Sequence, residues 1–303
     1  MVRVVVTDGI DSSAADSLRA LGCELTEHFY ELDELAQIVK ECDALVVRSA
    51  TKVREPIIDA ALETGRLKLI VRGGVGTDNI DVEYARSHGI EVKNTPGASS
   101  ESVAELAIAH IFALARHIHE ANVTMREGKW EKKAYKGIDL FGKTLGLIGL
   151  GRIGKAVAAK ATALGMKVVY TNRSGHKPEN EPYKHVDIDE LFAVSDFISL
   201  HMPKSESPVI TSAEFAKMRD GVFVVNTARG SLIPNDDMLA ALDSGKVAGI
   251  ALDVYSEEPP ADERILRHPR ISMTPHIGAS TIEAQARVGE ETVKHIAEQF
   301  GLE

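Results

Sequence analysis

Cysteine is nearly missing from this chain. Only Cys23 and Cys42 occur in 303 residues, too few for a disulfide framework and with no CxxC pair, so a reducing cytoplasm is the expected setting. Tryptophan occurs once, at Trp130 among Lys129, Lys132 and Lys133, and one aromatic in a short basic run does not make a nucleic-acid groove. Cations are in deficit. Thirty-five Lys and Arg face 45 Asp and Glu, and the formal net charge of −10 has the wrong sign for tracking nucleic acid or anionic lipid. Long apolar runs are also lacking. The longest, Val103 to Ala115, is interrupted by Glu105 and His110 and falls short of the ~20 residues a membrane span needs. The opening Val4-Val5-Val6 is too short for the core of a secretion signal and is followed at once by Thr7-Asp8, so it reads as a strand. The histidines form no HExxH; His117 and His119 are two apart and fall on different sides of a helix, so no metal is expected. Ser99, Ser100 and Ser102 stand in no G-x-S-x-G and read as helix caps, not nucleophiles.

What is present is globular: 44% hydrophobic and 26% charged residues, in a length of about two domains of ordinary size, roughly 100–150 residues each. Two domains are expected. β-Rich runs alternate with helical patterns throughout: 4–6, 44–47, 67–71 and 90–92, then a long helical stretch over 101–119, then 144–148, 167–170, 197–200, 222–225, 249–252 and 271–273. Such alternation predicts an α/β fold with parallel sheets covered by helices on both faces. Ten strands exceed a comfortable single sheet, and a break is placed at the turn-forming Asn94-Thr95-Pro96-Gly97. The last helix is expected over Ser280 to Phe300, opened by a capping box of Ser280 and Glu283.

Gly149-Leu150-Gly151-Arg152-Ile153-Gly154 is a G-x-G-x-x-G that directly follows a predicted strand and opens an alanine-rich helix. In that context Gly149 permits the turn, Gly151 lets backbone approach a pyrophosphate and Gly154 lets the helix lie close on its strand. The next predicted strand ends Tyr170-Thr171-Asn172-Arg173-Ser174. An acid there would hold the ribose 2′-hydroxyl of NAD, but Asn172 is neutral and Arg173, with Ser174, can meet a 2′-phosphate. NADP(H) is therefore favoured over NAD(H). Three further segments follow predicted strands: 226–230 with Arg229, 253–260 with Glu257 and Glu258, and 274–279 with His276. An arginine to clamp a carboxylate, a histidine to exchange a proton and a glutamate to orient it form an acid/base set.

These residues resemble the D-isomer-specific 2-hydroxyacid dehydrogenases, most closely their phosphoglycerate dehydrogenase branch. The likeness runs from about residue 4 to the C-terminus through 47–53, Gly76-Thr77-Asp78-Asn79-Ile80-Asp81, 94–97, the glycine fingerprint and the three later segments. For the branch it rests on the Arg48 segment, residues 128–133 and Glu257-Glu258-Pro259-Pro260. The resemblance implies two doubly wound domains, a flavodoxin-like substrate domain over 1–98 and 280–303 with a Rossmann cofactor domain over 99–279 inserted. It implies Arg229, Glu258 and His276 as the catalytic set, with Glu258 rather than Glu257 in the glutamate position. Arg72 and the amides of Gly73, Gly74, Val75 and Gly76 would hold the substrate carboxylate. Arg48 and Ser49, with Lys132 and Lys133 arriving from the second subunit of a homodimer, would meet a substrate phosphate. Val75, His201, Met202, Pro203, Thr227, Ala228, Asp253, Gly278 and Ala279 would line the cofactor, Asp253 at the nicotinamide amide. Asn172 departs from the acid usual in NAD-using relatives. The chain ends at Glu303, without the regulatory domains of longer relatives, so feedback by serine through such a domain is not expected.

The expected reaction is hydride transfer between NAD(P) and a D-2-hydroxy acid, first of all 3-phospho-D-glycerate and 3-phosphohydroxypyruvate in serine biosynthesis. A glyoxylate or hydroxypyruvate reductase is the second enzyme reading. An NAD(H)-sensing corepressor is the reading from another class, set against the intact Arg229, Glu258 and His276. The apolar helix 101–119 is expected to supply a dimer interface.

Overall fold

The computed structural model describes residues 1–180 and 182–303. By its contacts the chain falls into two compact units, one of Met1–Ser99 with Ala279–Glu303 and one of Ser100–Gly278.

The first unit runs β1 (Arg3–Val6), α1 (Ser12–Ala20), β2 (Glu24–Glu27), α2 (Leu32–Ile38), β3 (Ala44–Val47), α3 (Glu55–Leu62), β4 (Leu69–Arg72), α4 (Val82–Ser87) and β5 (Glu91–Asn94). Its five strands are all parallel, in the order β2-β1-β3-β4-β5. The unbroken apolar runs are explained by the pleat. Val5, Leu45, Val47 and Ile70 pack with Leu35, Ile57 and Ile58 on one side, while Val4, Val6, Ala44, Val46, Leu69 and Val71 pack with Leu18 and Ile296 on the other. Alternate residues of one strand thus enter opposite cores, and each fully buried aliphatic side chain contributes about 1.5–3 kcal/mol.

The second unit runs α5 (Ser100–Ala115), α6 (Ile118–Arg126), β6 (Thr144–Ile148), α7 (Arg152–Ala163), β7 (Lys167–Thr171), β8 (Lys184–His185), α8 (Ile188–Val194), β9 (Phe197–Leu200), α9 (Ser212–Lys217), β10 (Val222–Asn226), α10 (Asn235–Asp243), β11 (Val247–Leu252), α11 (Glu263–Leu266) and β12 (Ile271–Met273). Its seven strands are also parallel, in the order β12-β11-β10-β9-β6-β7-β8. The order reverses beside β6, which places a switch point at the glycine turn. The final helix, α12 (Ile282–Phe300), belongs to the first unit. Its Gly289 lies so close to α1 that an added Cβ would stand 2.6 Å from the Ala14 Cβ.

Three readings of the sequence need correction. The edge strands β2 and β8 are absent from the expected ten: β2 is a mostly exposed Glu-Leu-Thr-Glu and β8 has two residues, so neither carries an apolar run. The stretch 101–119 is two helices, because His117 turns left-handed (φ 54°) between α5 and α6 and its Nδ1 pairs with Glu120 Oε2 at 2.6 Å. The cap of α12 is Thr281, whose Oγ1 accepts the Ala284 N–H at 3.1 Å, so Ser280 and Glu283 form no capping box. Among the described residues no helix is long and apolar enough to cross a membrane.

Candidate active site

The glycine turn joins β6 to α7. Gly149 adopts φ 100° and its α-carbon faces the His201 carbonyl, while Gly154 faces the Gly149 carbonyl; a side chain at either place would collide with backbone. Gly151, at the cap of α7, is different, since a Cβ there would meet nothing within 4 Å. Two glycines are consumed by packing and the third leaves open space before free N–H groups of a twelve-residue helix. A pyrophosphate fits that cradle.

Asn172 follows β7 and its Oδ1 accepts the Leu150 N–H at 2.7 Å. The side chain therefore helps shape the glycine turn, which the sequence pattern did not reveal. Arg173 and Ser174 beside it are exposed. His201 follows β9, with its N–H donating to Ile148 O at 2.8 Å and Nε2 paired with Ser199 Oγ at 2.8 Å. Burial pushes its imidazole down to about 4, so it is neutral at physiological pH.

The loops after β10, β11 and β12 carry the acid/base set. After β10, Asn226 Oδ1 accepts the N–H groups of Ala228 and Arg229 at 3.1 and 3.3 Å, and its Nδ2 donates to Arg229 O at 2.8 Å. That fixes the backbone under Arg229. Gly230 then touches the Tyr255 backbone so closely that no Cβ would fit, which brings the loop carrying Arg229 against the loop carrying Glu258. His276 Nδ1 meets Glu258 Oε2 at 2.7 Å, and Glu258 Oε1 accepts the Tyr255 N–H at 3.1 Å. Burial alone would raise the Glu258 carboxyl. The hydrogen bond and charge of His276, the Tyr255 N–H and the charge of Arg229 outweigh it and hold the group below the usual carboxylate range. An ionised carboxylate on Nδ1 orients the ring, leaving Nε2 as the nitrogen that can exchange a proton. His276 has φ 52°, a left-handed conformation that few residues other than glycine adopt.

Asp253 is 1% exposed. Its Oδ1 accepts Thr274 Oγ1–H at 2.6 Å and the Ile277 N–H at 2.8 Å, and Oδ2 accepts the Gly278 N–H at 2.9 Å. Tyr255 Oη–H donates to Thr274 O at 3.0 Å; burial, then the charges of Asp253 and Glu258, push its phenol up to about 12, so it stays a donor.

In the first unit Arg48 follows β3. Asp8 builds its loop by accepting the N–H groups of Arg48 and Thr51 at 2.6 and 3.1 Å, and Asn79 closes it by donating to Arg48 O and Thr51 O at 2.6 and 2.7 Å. Arg48 Nη1 donates to Gln285 Oε1 at 2.6 Å, and Gln285 Nε2 donates to Ala279 O at 2.6 Å. Gln285 was not among the candidates; a polar residue on an amphipathic helix gives no signal of its partner. Arg72 ends β4 and Gly73–Gly76 follow it, where Asn94 Nδ2 holds Val75 O at 2.6 Å and the Thr95 N–H holds Gly74 O at 3.0 Å. Ser49 is exposed after β3.

The structure thus gathers 149–154, Asn172, 201–203, 227–229, Asp253, Glu258, His276 and Gly278 at the carboxyl ends of the second unit's strands, and Arg48, Ser49 and 72–76 at those of the first. Lys132 and Lys133 are not part of either group: they are exposed on the segment after α6. His110, Tyr255 and Thr274 went unrecognised as site-building residues.

Residues 108–278 match the family model "D-isomer specific 2-hydroxyacid dehydrogenase, NAD binding domain". The chain is 50% identical to a hydroxypyruvate reductase of Thermotoga maritima, with 99% of each chain covered. It is 40% identical to the D-3-phosphoglycerate dehydrogenase of Rattus norvegicus, where the match covers 98% of this chain and 56% of that protein's length. Among solved structures, a glyoxylate reductase from Paecilomyes thermophila superposes with a TM-score of 0.90 at 33% identity, covering 99% of this chain and 96% of that one.

Proposed function

This chain belongs to the D-isomer-specific 2-hydroxyacid dehydrogenases, NAD-dependent oxidoreductases, and from that premise we propose that it reduces hydroxypyruvate to D-glycerate and runs the reverse oxidation. The observation that carries the proton chemistry is the 2.7 Å pair of His276 Nδ1 and Glu258 Oε2. Bound on the glycine turn, the nicotinamide dinucleotide supplies or takes up the hydride. His276 gives a proton to the C2 oxygen during reduction and removes it during oxidation. Glu258 stabilises the charged ring, and Arg229 clamps the substrate carboxylate and polarises the C2 carbonyl. In the second unit Thr227, Ala228, Asp253 and Gly278 line the nicotinamide side, and in the first unit the amides of Gly73–Gly76 and the Arg72 side chain offer donors to a carboxylate, with Val75 and Ala279 offered to the cofactor. With Asn172 and Arg173 at the ribose, NADPH is used at least as well as NADH.

A three-carbon substrate bearing oxygen at C3 is favoured by the kinship, over its whole length, with the Thermotoga reductase. The phosphorylated counterpart, 3-phosphohydroxypyruvate, is the second reading. It is favoured by Arg48, a cation lowered from its ordinary range by burial, though raised by Asp8, and bonded through its side chain to the neutral Gln285. On that reading the enzyme acts in serine biosynthesis. The apolar side chains of α5, expected to supply a dimer interface, are instead buried in the second unit's own core (Ala104, Ala107, Ile111, Leu114), so we place a homodimer interface on α6 and the segment after it, where Ile118, Val123, Met125 and Trp130 are all more than half exposed. The test is a steady-state panel crossing hydroxypyruvate, 3-phosphohydroxypyruvate and glyoxylate with NADH and NADPH. Turnover best on hydroxypyruvate supports the first reading, and preference for the phosphorylated acid moves the assignment to the second. Cofactor binding without turnover on any substrate overturns both in favour of an NAD(H)-sensing binding protein.

A further inference from the structure

Resting on the reading of His276 as the proton carrier, we infer that His110, an imidazole of α5, is a positioning residue that holds the His276 loop through Thr274 and Asp253. His110 is 3% exposed and both ring nitrogens are engaged, Nδ1 with Ser272 Oγ at 3.2 Å and Nε2 with Thr274 Oγ1 at 3.0 Å. The proton positions follow from the partners. Thr274 has one hydroxyl proton and gives it to the Asp253 carboxylate at 2.6 Å, so its oxygen must accept from His110, and Nε2 carries the hydrogen. Burial lowers the His110 imidazole, against the charge of Asp253 and together with that of His119, which keeps the ring neutral. Its Nδ1 therefore accepts from the Ser272 hydroxyl.

The result is a one-way chain: Ser272 O–H to His110, His110 Nε2–H to Thr274, Thr274 O–H to Asp253. Each donor polarises the next, and the chain ends on a buried carboxylate that cannot be left short of donors. The same carboxylate takes the N–H groups of Ile277 and Gly278, the two residues immediately after His276. His276 sits at φ 52°, a conformation that persists only where its surroundings impose it. Asp253 imposes it from the C-terminal side, and His110 fixes which way Thr274 presents its proton to Asp253. Thr274 is also the node to which Tyr255 ties the Glu258 loop, through Oη–H to Thr274 O at 3.0 Å. One helix imidazole thereby secures both halves of the His276–Glu258 pair.

The test compares His110→Leu with His110→Gln, whose amide Nε2 takes the place of the imidazole Nε2–H. Two quantities are read: hydrogen exchange of the Ile277 and Gly278 amides, and kcat set against KM for the reduced cofactor. His110→Leu should speed exchange at those amides and lower kcat about tenfold while KM for the cofactor stays within about twofold, and His110→Gln should restore most of both. Unchanged exchange in His110→Leu, faster exchange with unchanged kcat, or a Gln variant as impaired as the Leu variant overturns the inference. Should His110→Leu fail to fold, Thr274→Val against Thr274→Ser makes the same comparison: Val impaired and Ser near wild type supports it, and equal behaviour overturns it. If His276→Ala turns over normally the functional reading falls, while the amide exchange still decides whether His110 braces the loop.

Discussion

Replacing Asn172 by Asp should raise the use of NADH relative to NADPH. The substitution spares the fold, because Asn172 uses Oδ1 to accept the Leu150 N–H at 2.7 Å and either oxygen of an aspartate can accept the same bond. What changes is the other atom of the side chain, an amide donor in the native protein and an anionic acceptor in the variant. Towards a ribose 2′-hydroxyl the variant gains a charge-assisted hydrogen bond of about 1.5–3 kcal/mol. Towards a 2′-phosphate it adds like-charge repulsion, about 1–4 kcal/mol at roughly 4 Å for effective dielectrics between 80 and 20. The smaller ends of the two ranges together predict a rise of about fiftyfold or more in the ratio of kcat/KM with NADH to that with NADPH. Arg173 is exposed beside Asn172, and Arg173→Ala should lower kcat/KM for NADPH about tenfold while hardly touching NADH. The assay is initial-rate reduction of one 2-oxo acid with each cofactor in wild type, Asn172→Asp and Arg173→Ala. A wild type that prefers NADH tenfold or more, or an Asp variant with an unmoved ratio, refutes the argument from this site.

His276→Ala should cut kcat by a factor of about a hundred or more with little change in cofactor affinity by fluorescence titration, the range expected for loss of a general acid; near-normal turnover would sink that role. Glu258 is held below the ordinary carboxylate range, so its charge is present above that range and is lost only as the pH falls through the lowered value. In Glu258→Gln the charged ring loses its counter-ion at every pH, and the alkaline edge of the reduction profile should move to lower pH; an unshifted edge contradicts the pairing. Arg48→Ala should raise KM for 3-phosphohydroxypyruvate at least tenfold more than for hydroxypyruvate if Arg48 meets a phosphate, and equal effects on both substrates point to its bond with Gln285 as structural. His201 is pushed down to about 4 by burial against an ordinary 6.5. Between those values the unfolded chain binds a proton that the folded one refuses, so stability declines as pH falls through the window, and His201→Asn should flatten the dependence of Tm on pH there.

The parallel α/β architecture was legible because its strands are buried on both faces. A run such as Ala44-Leu45-Val46-Val47 sends alternate residues into two cores and so must be apolar at every position. The same physics hides β2 and β8, which lie at sheet edges where nothing requires an apolar run. Hydrophobic periodicity also ran through residues 116–118, because it records which side chains are apolar and not the one residue, His117, whose φ of 54° ends the first helix. At the site, residue types with a chemistry of their own, the glycine turn, Arg229, Glu258 and His276, stood out by their position after strands. His110 did not, and the reason is instructive. It occupies an otherwise apolar helical stripe, where a lone histidine reads as filler, and its meaning lies in partners at Ser272 and Thr274, 162 and 164 residues further along the chain. Pairing of that kind leaves no local spacing to recognise. Asn172 marks the intermediate case: its type and place led to an expectation about the cofactor, while its bond to the Leu150 N–H, a second duty that limits what can replace it, became visible only once β6 and β7 lay side by side. A residue bound by both duties must accept a hydrogen bond from the glycine turn whatever it offers the ribose. Asn and Asp both meet that demand, which is why cofactor preference can be argued at this position without disturbing the turn beneath it.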